Sequence, residues 1–149
     1  MQRLRRLAPI AALWVAALAS LRAHAQDEAN PSSLYEVSTE GTSTKVKSGE
    51  KGLFVLSIKS KPGAHVSDEA PLKLQVKGTQ LVPAKEQLAY SDSVAKKKEG
   101  DAYADPRFEV PFTLEGGKGT LDAKLTFFIC TEKICARQQK TLSIPVEAQ

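Results

Sequence analysis

The sequence predicts an all-β domain, two antiparallel sheets packed face to face as a sandwich of about seven strands. Three observations point there. Apolar residues recur with a period of two along most of the chain after residue 33. Turn residues punctuate the runs: Ser48-Gly49, Lys61-Pro62-Gly63, Gly78-Thr79 and Gly116-Gly117-Lys118-Gly119. After residue 25 there is no sustained helical period and no internal repeat.

The elements follow in order. Residues 1–25 read as a secretory signal peptide. Arg3, Arg5 and Arg6 form its charged start, Pro9 to Leu21 its apolar stretch, and Ala23-His24-Ala25 its cleavage motif. Cleavage between Ala25 and Gln26 is expected, leaving an exported chain in the periplasm or outside the cell. The apolar stretch is shorter than the roughly 20 residues a membrane-spanning helix needs, and no later run is long enough to span. Residues 26–33 read as a flexible lead-in, and residues 34–149 as one domain. Within it, 34–38 and 44–47 are weak strand candidates. Residues 53–58 (LFVLSI) are apolar on both sides and suit a central strand. Leu72, Leu74 and Val76 alternate with Lys73, Gln75 and Lys77. Phe108, Val110, Phe112 and Leu114 form one further alternating set, Leu121 to Ile129 a second, and Leu142, Ile144 and Val146 a third.

Two registers follow from this parity. If 108–115 folds back on 120–127 at the Gly116–Gly119 turn, Leu114 meets Leu121, Phe112 meets Ala123 and Phe108 meets Phe127. If 121–130 folds back on 135–144, Leu121 meets Ile144, Ala123 meets Leu142 and Cys130 meets Cys135. A slip by one residue would send each set to the opposite face. Together they predict a three-stranded meander burying one face, with Phe112, Phe127 and Leu142 inside and Lys124 and Thr126 more exposed. Strands of this number in this length suit an immunoglobulin-like sandwich, without the Cys–Trp–Cys pattern of antibody domains.

Charge narrows the function. The chain carries 21 Lys+Arg and 17 Asp+Glu. Removing the four leader arginines leaves residues 26–149 with 17 bases against 17 acids, a zero balance that suggests no basic face for nucleic acid. Lys96-Lys97-Lys98 reads as a solvated loop. Past residue 25 the chain has one histidine, His65, and no methionine, which excludes a blue-copper ligand set. Zinc would have to draw on Cys130, Cys135, His65 and a carboxylate, a weak pattern. His65 itself reads as a loop histidine. No hydrolase elbow or phosphate loop is present. No cofactor is expected.

Cys130 and Cys135 are the only cysteines, separated by Thr131-Glu132-Lys133-Ile134. In an exported chain a disulfide is the default. Parity puts both on the face away from Phe127 and Ile129, beside Phe128, at a hairpin tip facing solvent. A bond closing so small a loop is worth only about 2 kcal/mol on a chain-entropy argument, against about 4.7 for a loop of 100 residues. A tip disulfide is also open to a thiolate. Lys133 and Arg137 favour a thiolate there and Glu132 opposes it. The spacing leaves two readings open: a redox pair or a structural staple.

The run Leu125–Pro145, LTFFICTEKICARQQKTLSIP, resembles the end of the N-terminal periplasmic domain of the thiol:disulfide interchange protein DsbD family. There too a strand ends in a cysteine, a short loop follows, and a second cysteine opens the closing strand. Gly63–Pro71 looks like the loop before a central strand in that family. The resemblance implies an immunoglobulin-type sandwich that relays electrons from a membrane donor to extracytoplasmic thioredoxin-like oxidoreductases. It implies Cys130 and Cys135 as the redox pair, with Cys135 the sulfur a partner attacks. It also implies a loop carrying an aromatic cap over the disulfide, matched here to Tyr90-Ser91-Asp92-Ser93-Val94. The alternative is a non-catalytic binding or structural sandwich with a small structural disulfide.

Overall fold

A computed structural model describes residues 30–149. The expected leader, its cut at Ala25 and Gln26, and the first part of the lead-in lie outside the described residues. The end of the lead-in is a short 3-10 helix, Pro31–Ser33, capped by the Asn30 side chain, which accepts from the Ser32 N–H. Leu34 after it packs on the core.

Ten strands follow: β1 Tyr35–Ser38, β2 Lys45–Val46, β3 Lys51–Ser60, β4 His65–Val66, β5 Lys73–Thr79, β6 Leu81–Pro83, β7 Gln87–Leu88, β8 Arg107–Leu114, β9 Lys118–Cys130 and β10 Cys135–Ala148. They form two sheets, β1-β3-β8-β6 and β2-β10-β9-β5-β7, with β4 added beside β9. The sandwich class is as predicted. The strand count is higher because β4, β6 and β7, of two or three residues each, are too short to show a period. Four phenylalanines, Phe54, Phe108, Phe112 and Phe127, are fully buried in the core. Tyr35 meets Phe127 edge-on at 4.8 Å, and its hydroxyl donates to Gln138 Oε1.

One predicted register holds and one does not. β9 and β10 pair antiparallel with Cys130 opposite Cys135, Ala123 opposite Leu142 and Leu121 opposite Ile144. The expected pairing of 108–115 with 120–127 is absent. β8 pairs with β3 (Phe112 opposite Gly52) and β6 (Leu114 opposite Leu81), in the other sheet. Phe112 and Phe127 are both buried, as the parity requires, but from opposing sheets. Leu142 is half-buried. Period two says which way a side chain points and leaves the neighbouring strand open.

The glycines explain the crossing. The chain passes from β5 to β6 through Gln80, at φ 60, and from β8 to β9 through residues 115–117. The two crossovers are tied together by the Glu115 N–H donating to Gln80 O at 2.9 Å. A Cβ on Gly119 would sit 2.7 Å from Thr79 O and 2.8 Å from Leu81 Cγ. Gly119 is thus small so that two crossing chains can touch, rather than to turn a hairpin.

Candidate functional site

The site is built on the central strand β9. β10 lies along one side of it, and β4 followed by β5 along the other. β4 is delivered by a tight turn in which Pro62 and Gly63 (φ 80) hold the central positions and the Ala64 N–H donates to Lys61 O at 3.0 Å. This is the residue pattern of a type II turn. It puts His65 opposite Cys130 and Val66 opposite Ile129, and the Ser67 N–H then donates to Phe128 O.

Cys130 and Cys135 are joined as a disulfide, with Cα atoms 4.0 Å apart. They were expected to face solvent together, and the structure separates them. Cys130 is only 2% exposed, whereas Cys135 on the outer strand is exposed. The cause is β4, which flanks Cys130 on the side away from β10. Cys130 is still outside the main core cluster, as its parity requires. The tip is also closed without the sulfurs. The Thr131 N–H donates to Ile134 O at 2.8 Å, and Thr131 Oγ1 accepts from the Lys133 and Ile134 N–H groups at 3.3 Å.

The other expected site residues fall in three places. Phe128 is half-buried on β9 and pairs with Arg137 of β10, two positions from the disulfide. Lys133 is exposed on the tip loop. Tyr90 and Asp92 belong to a 3-10 helix, Tyr90–Asp92. Asp92 is engaged locally: it accepts from the Lys85 amine and the Ala89 N–H. The Lys85 hydrogen bond, followed by the backbone one, holds its carboxyl below the usual range. Tyr90 packs against the core, and its hydroxyl donates to Ala104 O at 3.0 Å. Burial, and then the nearby Asp68 and Asp105 carboxylates, push that hydroxyl's pKa up.

That bond anchors the loop that carries Tyr103, a residue with no motif in the sequence to mark it. The Tyr103 ring stacks on His65 at 3.6 Å between centroids, nearly parallel at 7°. Lys97 Nζ lies 5.9 Å from the Tyr103 ring centroid and 3.6 Å from Asp68 Oδ2. His65 is therefore a half-buried strand residue with an aromatic partner, beside Cys130, and not a free loop histidine. The aromatic residue next to the disulfide strand comes from the loop after Lys96-Lys97-Lys98. The available signal was a lone Tyr within a run of Lys, Gly and Asp. Ile134, 41% exposed, and Tyr103, 43% exposed, are two of four exposed large apolar residues among the described residues.

Among the described residues no group of three or more His, Cys, Asp or Glu is placed to hold a metal ion. Among them too, no helix is long and apolar enough to cross a membrane.

No protein-family profile matches the chain, and no curated protein matches it in sequence. Among solved structures, it is similar to the cohesin module of a family 33 glycoside hydrolase from Clostridium perfringens, with a TM-score of 0.37 and 10% identity, over 77% of this chain and 96% of that module. The sandwich assignment rests on this chain's own two sheets.

Proposed function

We propose that the protein is an exported thiol:disulfide exchange module that passes electrons between proteins through Cys130 and Cys135. The observation that carries this is the unequal exposure of two directly opposed cysteines. An incoming thiolate reaches the Cys135 sulfur. The new bond joins the donor sulfur to Cys135, and Cys130 leaves as a thiolate. The donor's second thiol then attacks the donor's own sulfur, releasing Cys135 and leaving the donor oxidised. Two electrons have entered the pair. Running the same steps in reverse, Cys135 attacks an acceptor disulfide and Cys130 resolves the intermediate. The donor class is a membrane electron carrier and the acceptor class extracytoplasmic thioredoxin-like oxidoreductases, as the DsbD-family resemblance implies. The leader-like residues 1–25 support a periplasmic or secreted location.

The hydrogen bonds at the tip favour this reading. Thr131 closes the loop with hydrogen bonds of its own, which would hold the hairpin when the disulfide opens. The second reading, a binding or structural sandwich with a structural disulfide, is favoured by the burial of Cys130. The reduction potential separates the two. A structural bond lies below about −300 mV, and a relay bond lies higher. Cys130→Ser supplies the second measurement: a mixed disulfide through Cys135 accumulates because no resolving thiol remains. A potential below about −300 mV with no trapped adduct would refute the relay.

A further inference from the structure

Beside His65 the end of β3, the turn into β4 and the loop 95–105 enclose a cleft of about 700 Å³. Its lining carries four amines, Lys59, Lys61, Lys96 and Lys98, against two carboxylates, Asp101 and Asp105. Residues 34–149 carry 17 bases against 15 acids, so four amines against two carboxylates in one lining is a local concentration of positive charge. Lys61 pairs with Glu36 at 3.2 Å. The other three lysines make no ion pair among the described residues. Asp105 is partly spent inside the fold, since its Oδ1 accepts from the Ser60 N–H at 3.1 Å. Ser60 Oγ, also in the lining, is buried with no hydrogen-bond partner.

We propose that this cleft receives an acidic segment of the protein that exchanges with Cys130–Cys135. The inference rests on the relay reading and adds what the partner must look like. His65 joins the two features, because it lines the cleft and sits opposite Cys130. Adjacent strands lie about 4.8 Å apart, so the cleft wall is one strand from Cys130 and two from Cys135. A standard interface covers about 800 Å² per partner, a disc of roughly 16 Å radius. One footprint therefore spans the cleft, Tyr103 and the exposed Cys135. Aromatic residues such as Tyr103 are enriched in interface cores, and complementary charge chiefly raises the rate of encounter.

The test uses synthetic peptides and the full domain. Hexaglutamate, which has no thiol, is titrated against wild type, the triple variant Lys59→Glu, Lys96→Glu, Lys98→Glu, and a control of equal charge, Lys45→Glu, Lys47→Glu, Lys77→Glu. Circular dichroism checks the fold of each. Hexaglutamate should bind wild type, and bind less well as salt rises. The cleft variant should lose about tenfold or more in affinity, the sum of two or three exposed pairs, and the control much less. Equal loss in both variants, or equal binding of hexaglutamine, overturns the cleft. In a second arm, single-cysteine peptides flanked by glutamates or by glutamines attack the disulfide, each rate normalised to that peptide's reaction with a neutral small disulfide. The acidic peptide should react about tenfold faster with wild type and lose that advantage in the cleft variant. Both peptides reacting equally fast would overturn the partner assignment and leave the relay standing. If neither opens the disulfide while hexaglutamate still binds, the relay fails and the partner assignment falls with it.

Discussion

Phe127 shows how much one side chain can report. It is fully buried and its ring meets Tyr35 edge-on. Phe127→Ala removes a large core ring and leaves a cavity, so unfolding free energy should fall by about 3–5 kcal/mol in a urea titration. A loss under about 1 kcal/mol would mean that β9 does not turn this face to the core. Asp92 gives a different signature. Its carboxyl pKa is lowered chiefly by the hydrogen bond from Lys85. A carboxyl with a depressed folded pKa contributes stability above its unfolded value, and that contribution is lost as pH falls through the folded value. Asp92→Asn should therefore be less stable than wild type near neutral pH, and the gap should close below the ordinary carboxylate range. Urea midpoints at about pH 7 and about pH 2.5 check the sign. Both effects start from single residues whose type was legible in the chain. Phe127 was assigned to the core by parity. Asp92 lies in the stretch that the resemblance matches to the aromatic-cap loop, and its contacts are with Lys85 and the Ala89 N–H.

The β9–β10 hairpin tip carries the disulfide through which the proposed exchange would run. Its disulfide closes a loop of four residues, and the Thr131 hydrogen bonds close the same loop independently. Replacing both cysteines by Ala, which buries no hydroxyl at the covered position 130, should cost about 2 kcal/mol from the lost loop closure and leave the sandwich folded, as denaturant unfolding would report. A loss of more than about 4 kcal/mol would mark the bond as a structural staple. The hairpin was readable because a short loop joins two strands of matching parity, so sequence distance and spatial distance agree. The cover over Cys130 was not readable. It comes from β4, two residues long, which reaches β9 only because Pro62 and Gly63 turn the chain back onto it. Tyr103 belongs to the same class: its stack on His65 joins residues from a turn and a loop that share no local signal.

At the level of the whole molecule the decisive feature is which sheet β8 joins. Lys51 and Thr113 are opposite each other across β3 and β8, and both are exposed. In a background with Cys130→Ser and Cys135→Ser, the pair Lys51→Cys and Thr113→Cys should oxidise to a disulfide, because opposed antiparallel residues lie within bonding range. Thr113→Cys with Asp122→Cys should not, because those residues belong to opposing sheets. A thiol titration after mild oxidation reads both. The reverse result would restore the local hairpin around Gly116–Gly119 and overturn the crossover.

The sequence by itself determined the class, all-β with one buried face per sheet, because alternation of side chains is a local property of extended backbone. It also determined the cysteine register, because two adjacent strands and a short loop leave little freedom. Tertiary structure alone decided that β8 and β9 lie in opposing sheets instead of pairing, since both arrangements bury the same residues. It alone decided that Cys130 is covered and Cys135 open, since coverage depends on a neighbour brought in from residues 65–66. The same holds for the basic cleft: its lysines lie at positions 59, 61, 96 and 98, and only the folding of two distant segments against each other gathers them into one lining.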